Sequence, residues 1–289
     1  EKDFTMVFGF PGRTTQYLHS AAVDQIVTVN DPAKIAIRDK ALAVIDGFMR
    51  NDEQIKIQYA AKYAGISNSW KKWKGEVLGL TSTNAVVKKK NYEAEFQKKI
   101  NANPQWKTAY GILLSDLSTA YAEIKPLGYA RDYYTEIISK IELLTIAAQL
   151  NSLITAYEKD GDKGYQQRLP QVKAALESLF TEYNEQVDKK LLEVLMEMYV
   201  KDQENKYVSP LLMELLNSSG KNFEQLADRI FGDTKLFSSA TITKMLDKPA
   251  AELIPDLKLQ SVIHLYTDLL KTYQTQVQGK LNEIQSRIN

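Results

Sequence analysis

The stretch AGISNSWKKWKGE, Ala64 to Glu76, sets one amide, Asn68, between Ser67 and Ser69, and follows it with Trp70, Trp73 and the cations Lys71, Lys72 and Lys74. These residue types at this spacing leave several chemistries open. Asn68 can cap a helix, its side-chain oxygen accepting from an amide of the next turn. The same oxygen can accept from a ligand ammonium in a pocket walled by indole, where exclusion of water strengthens the contact. The tryptophans and lysines can form a basic aromatic surface for single-stranded nucleic acid, or simply a helix with its indoles buried and its lysines solvated. With 37 basic against 36 acidic side chains and a formal charge of +1, no global field gathers a polyanion, which favours the solvated helix over nucleic acid.

Arg13 stands on the proline-glycine turn GFPGRTT. Its planar fork can clamp backbone carbonyls, or a carboxylate, within the protein or on a ligand. That turn lacks the glycine spacing and the lysine of a phosphate loop. His19 and His264 are far apart and have no metal-ligand spacing. His264, between Ile263 and Leu265, reads as a helix-face residue, while His19 stays open between a structural and a functional role. No serine sits in a GxSxG elbow, and Asp160, Asp162 and Gly164 lack the ordered ligands and distal glutamate of a calcium hand, so they read as a turn. Cysteine is absent, which excludes disulfides and thiolate chemistry. Neither a metal nor a cofactor is expected. No apolar run reaches membrane-spanning length, and the opening Glu1-Lys2-Asp3, with no signal peptide or initiator methionine, reads as mature, trimmed or cut from something longer.

The elements that must position these groups are helical. Phe4 to Phe10 alone reads as a strand, ended by Gly9, Pro11 and Gly12, and its apolar side chains are expected to be partly exposed or to meet a neighbour. From Asp31 on, Asp31-Pro32 starts a helix whose stripe runs Ile35, Arg38, Leu42, Ile45 and Met49. Asn51-Asp52-Glu53 caps the next, which Gly65 stops, and Ser67 or Asn68 caps a short helix carrying Trp70, Trp73 and Val77. Thr81 to Ile100 follows, then a helix from Asn103-Pro104 with the stripe Trp106, Tyr110, Leu113, Leu117, Tyr121 and Ile124, broken at Pro126. Two long segments, Tyr129 to Lys159 and Leu169 to Val200, flank the Asp160-Gly161-Asp162-Lys163-Gly164 turn and should lie antiparallel. Shorter helices start at Ser209-Pro210 and Asn222, and a last one, introduced by Pro249 or Pro255, runs from Leu259 through Leu281. The pattern predicts an all-α, irregular multi-helix array.

The segments MVFGFPGRTTQYLHS and YAAKYAGISNSWKKWKGE resemble the bacterial dipeptidyl-peptidase 7/11 family, serine exopeptidases that remove dipeptides from peptide amino termini. The later IFGDTKLFSSATITKML is similar too, so the resemblance spans essentially all 289 residues. It implies a chymotrypsin-like double β-barrel bearing a serine, histidine and aspartate triad, with a helical domain inserted in the barrel and covering the cleft. On that resemblance residues 1–30 are a strand and turn linker from the barrel and residues 31–289 the cleft-covering domain, the extended segment belonging to a barrel that is missing here. The family's GNSGSP-like nucleophile segment has no match in this chain, and its histidine and aspartate precede the proline-glycine-arginine turn, so His19 is not catalytic. No catalytic residue is expected, and the chain alone should not hydrolyse peptides. The family's helical-domain asparagine, which helps bind the substrate's amino terminus, falls on Asn68, with Ser69, Trp70 and Arg13 as supporting residues. The implied partners are a peptide with a free amino terminus and the catalytic barrel of the same parent chain, with no nucleic acid, no membrane insertion, and a homodimer of the parent left open. The implied location is the periplasm or cell surface of a Gram-negative bacterium. The alternative is an independent helical module that binds a protein or nucleic acid through Trp70, Trp73 and the lysines.

Overall fold

Short polar side chains cap several of the helices, and where they do the sequence announces the boundary. The computed structural model describes residues 4, 6, 17–234, 236 and 238–288. Its helices are α1 (Ser20–Gln25), α2 (Asp31–Asn51), α3 (Glu53–Ser82), α4 (Ala85–Ala102), α5 (Pro104–Tyr110), α6 (Leu113–Ile138) and α7 (Glu142–Phe180). They continue with α8 (Glu185–Lys201), α9 (Pro210–Ser218), α10 (Phe223–Gly232), α11 (Ser239–Leu246), α12 (Ala250–Lys258), α13 (Ser261–Tyr273) and α14 (Gly279–Ile288). No strand occurs among the described residues, so the chain is all-α as the pattern predicts. Phe4 and Met6 are exposed; Arg13 and the rest of the expected strand and turn lie outside the described residues.

Asp52 caps α3 by accepting from the amides of Gln54 and Ile55 at 2.8 and 3.1 Å, and Asn103 caps α5 with Pro104 at its first position. Ser209, Asn222 and Ser238 cap α9, α10 and α11 in the same way. Other boundaries differ from the expected ones. The helical array begins at Ser20, not Asp31: a π turn over Ile26–Asn30 carries α1 into α2, with the Asp31 amide bonded to the Ile26 carbonyl. Its wider ring makes room for Pro32, which would clash with the carbonyl four residues back in a regular helix. Gly65 does not stop α3, because Ile66, Trp70 and Trp73 continue its α2-facing stripe and packing outweighs the cost of about 1 kcal/mol for a helical glycine. The Trp106 to Ile124 stripe is interrupted at Gly111 and Ile112, with Trp106, Tyr110 and Leu113 exposed, and Pro126 lies inside α6 instead of ending it.

The Asp160 to Gly164 turn is present: Gly161, at φ 61 and ψ −148, breaks α7, and the chain doubles back so that Arg168 Nε donates to Ser152 Oγ at 2.9 Å. The two flanking segments are each shorter than expected. Between α6 and α7 the chain turns at Ser139 to Ile141, and Asn184 caps α8 through the amides of Gln186 and Val187. The last helix is likewise divided, with Leu259 exposed between α12 and α13 and a π turn over Gln274–Gln278 before α14.

One large core gathers α2, the first turns of α3, the second half of α6, and α7 through α13, with Ile37, Ile137, Leu143, Leu153, Leu192 and Leu265 fully buried. A smaller one joins α6, through Ala120, Leu127 and Ala130, to Tyr207 and to Val277, Leu281 and Ile284 at the chain's end. The second half of α3 with α4 and α5 buries little, only Ser67 and Ile100 being enclosed there. Among the described residues no single helix is long and apolar enough to cross a membrane.

Candidate functional site on helix α3

α2 and α3 form an antiparallel hairpin, and the turn of α3 bearing Asn68 is fastened to α2 from behind. Trp70 Nε1 donates to Asp39 Oδ1 at 2.7 Å. Lys74 Nζ lies 4.1 Å from the Trp70 ring centroid, and Trp73 carries Lys34 Nζ at 4.3 Å and the Arg38 guanidinium at 4.5 Å. Arg38 is nine-tenths buried and uses three donors: Nε and Nη2 to Glu136 of α6 at 2.8 and 3.2 Å, and Nη1 to the Ile66 carbonyl at 3.0 Å. A backbone carbonyl two residues before Asn68 is thereby tied to a second and a third helix.

Asn68 itself lies in mid-helix, so it caps nothing. Its side chain is exposed and has no hydrogen-bond partner among the described residues. Successive residues on a helix point about 100° apart, so Asn68 and Trp70 diverge, and the pair does not line one pocket within this chain. The outer face that Asn68 shares with Ala64, Lys71, Lys72 and Gly75 is exposed. Lys72 pairs with Glu76 at 2.7 Å. Ser69 points the other way and lines a cavity of about 420 Å3 together with Arg38, Tyr59, Lys62 and Glu142.

That cavity borders a buried polar cluster. Lys62 Nζ and Tyr59 OH donate to the two oxygens of Glu142, each at 2.6 Å. Asp188, fully buried on α8, accepts from the amides of Glu142 and Leu143 at 2.6 and 2.8 Å, capping α7 from a distant helix, and Tyr183 OH donates to it at 3.3 Å. Burial, then the neighbouring Glu142 charge, pushes the Asp188 carboxyl up to about 8 despite those amide bonds. Burial and the same acids raise the Tyr59 and Tyr183 hydroxyls, and burial lowers Lys140, which pairs with Glu136 at 3.4 Å. Arg38 had a sequence signal, a cation inside an otherwise apolar stripe; Lys62, Glu136, Glu142 and Asp188 had none, because their partners lie on other helices.

His19 caps α1, its Nδ1 accepting from the Ala21 amide at 3.2 Å, while its ring stacks on Tyr121. His264 is exposed on α13. Among the described residues no group of three histidine, cysteine or acidic side chains stands close enough to hold a metal ion.

Among the described residues the α2–α3 hairpin is thus fastened through Trp70, Trp73 and Arg38, and the Asn68 amide is left uncommitted on its outer face. The chain belongs to the peptidase S46 family, whose sequence profile matches residues 1–289. It is 38% identical to the Asp/Glu-specific dipeptidyl-peptidase of Flavobacterium psychrophilum over 290 residues and 38% identical to that of Capnocytophaga gingivalis over 293 residues. In both cases the whole of this chain is covered but 40% of the relative, so the chain spans about two-fifths of these proteins' length. The dipeptidyl-peptidase 7 of Porphyromonas endodontalis is 27% identical over 290 residues. The crystal structure of Porphyromonas endodontalis DPP11 in complex with the dipeptide Arg-Glu superposes with a TM-score of 0.73 over 97% of this chain and 39% of that one, at 17% identity, which establishes the shared fold.

Proposed function

We propose that this chain is the helical, substrate-binding part of a serine-type dipeptidyl-peptidase and that Asn68 holds the free amino terminus of the peptide. The observation that carries the reading is a carboxamide left without a partner on an exposed helix face, on a helix otherwise fastened by Asp39, Arg38 and Glu136. The Asn68 oxygen accepts from the ammonium, and Trp70 supports it from behind rather than as a pocket wall. Lys71 beside it opposes an ammonium, an effect screened at this exposure, so selection rests on the hydrogen bond and not on charge. A site fixed at one end of the peptide sets the number of residues that reach the scissile bond, which accounts for dipeptide release. Acyl transfer to a serine takes place on the remainder of the parent, in its barrel. Because the two relatives at 38% identity are both Asp/Glu-specific, the parent is proposed to share that preference. It works in the periplasm or at the cell surface.

The peptide reading is favoured over a nucleic-acid platform because Trp70 and Trp73 already carry the protein's own cations on their rings. In the full-length parent Asn68→Ala should lower kcat/KM for free-amino-terminal peptides about 10- to 100-fold, the worth of one hydrogen bond to a charged group. Unchanged kcat/KM removes Asn68 from the site.

A further inference from the structure

Both ends of the described chain come to the first turns of α6. Leu113 and Leu117 line a cavity of about 220 Å3 with Tyr17, Leu18 and His19, and the same two leucines line another of about 370 Å3 with Arg287 and Ile288. The ends are also fastened there. His19 stacks on Tyr121, the Gln25 side chain donates to the Tyr121 carbonyl, and Arg287 pairs with Glu123. The surface at this junction is apolar and open: Tyr17 is 93% exposed, Tyr92 of α4, which shares the first cavity, 72%, and Ile112, beside Leu113, 70%. Gln97 of α4 donates to the Gly111 carbonyl at 3.1 Å and so ties α4 to the corner between α5 and α6. α5 has seven residues and buries none of them, and its Trp106 and Tyr110, four residues apart and so on one face, are each about half exposed. A helix this short is marginal in water on its own, so α5 gains from a surface laid over that aromatic pair.

We infer that the apolar surface at this junction, with Tyr17, Tyr92, Ile112 and Leu113 at its centre and the α5 aromatics beside it, is where the barrel-bearing remainder of the parent polypeptide packs on the helical array. The inference rests on the reading of this chain as part of a longer peptidase, in which about three-fifths of the length lies outside it. That remainder is tethered through ends that meet at one helix. Tethering sets its local concentration on the order of millimolar, so it occupies an apolar face beside its own points of attachment ahead of an untethered second copy. Contiguous exposed apolar side chains are what such a contact covers.

Thiol labelling of the full-length parent tests this. The 289 residues contain no cysteine, so Tyr92→Cys and, as a control, Leu259→Cys at the 78% exposed position between α12 and α13 each place a single thiol in this region. Maleimide labelling of each, followed by mass spectrometry of the labelled peptide, is compared between native parent and parent unfolded in urea. The thiol at position 92 should react at least about tenfold more slowly in the native parent than in urea, and the thiol at position 259 at a similar rate in both. Equal rates at position 92, equal protection at both positions, or protection at 92 that disappears on dilution, which would assign the face to a second copy, overturns the inference. Labelling is read without turnover, so its outcome is separate from that of Asn68→Ala: an unprotected thiol at 92 beside an intact Asn68 effect removes the surface and keeps the proposed function.

Discussion

Asn68 is an unfavourable choice for the middle of a helix, since asparagine there costs about 0.5 kcal/mol relative to alanine, and nothing in the fold repays it. Asn68→Ala should therefore leave the chain as stable as the unsubstituted one or a few tenths of a kcal/mol more stable, while on the proposed function kcat/KM of the full-length parent falls. Urea denaturation beside kinetics separates these effects, and a large loss of stability would mean that the amide is structural. Arg38 behaves in the opposite sense. Its side chain and that of Glu136 are 11% and 13% exposed, so Arg38→Met leaves a nearly buried carboxylate with Lys140 as its remaining ion-pair partner and the Ile66 carbonyl without its donor, and should cost about 1–3 kcal/mol, read as a lower urea midpoint. Both residues were visible in the sequence as misfits, an amide between two serines and a cation in an apolar stripe. Which misfit serves binding and which serves packing was not visible, because the answer depends on what α2 and α6 place beside each.

At the scale of elements, two glycines test how far local signals govern. Gly161 has a φ of 61 and ψ of −148, a region that side-chain-bearing residues avoid, so Gly161→Ala should destabilise the chain by about 1–3 kcal/mol in thermal or urea unfolding. Gly65 lies inside α3 with no heavy atom within 4 Å of where a Cβ would stand. Gly65→Ala should instead stabilise it, by up to about 1 kcal/mol. The turn at Gly161 was legible because aspartates and a second glycine surround it. The run through Gly65 was not, since only the packing of Ile66, Trp70 and Trp73 on α2 overrides the local stop. The α6–α7 boundary was hidden for the same kind of reason: the group that caps it, Asp188, is 45 residues away from the Leu143 amide it accepts from. Caps at Asp52, Asn103 and Ser209 were readable because each acts within three residues of itself.

For the molecule as a whole, that same long-range cap couples folding to pH. The Asp188 carboxyl, ordinarily near 3.8, is pushed up to about 8 by burial and by Glu142. Between those values the folded chain keeps a proton that the unfolded chain has released, so raising the pH through this window favours unfolding. Stability measured by urea unfolding should accordingly fall from about pH 4 to pH 8, at a slope of up to one proton per molecule from this group. Asp188→Asn removes the titration while keeping the shape. Its amide can accept from the Glu142 or the Leu143 backbone through one oxygen only, so the variant should lose about 1–3 kcal/mol at pH 5 yet show a flatter profile toward pH 8. A parent-sequence profile that stays level or rises across this interval, or a variant just as steep, would place the titrating proton elsewhere and leave Asp188 charged at the start of α7.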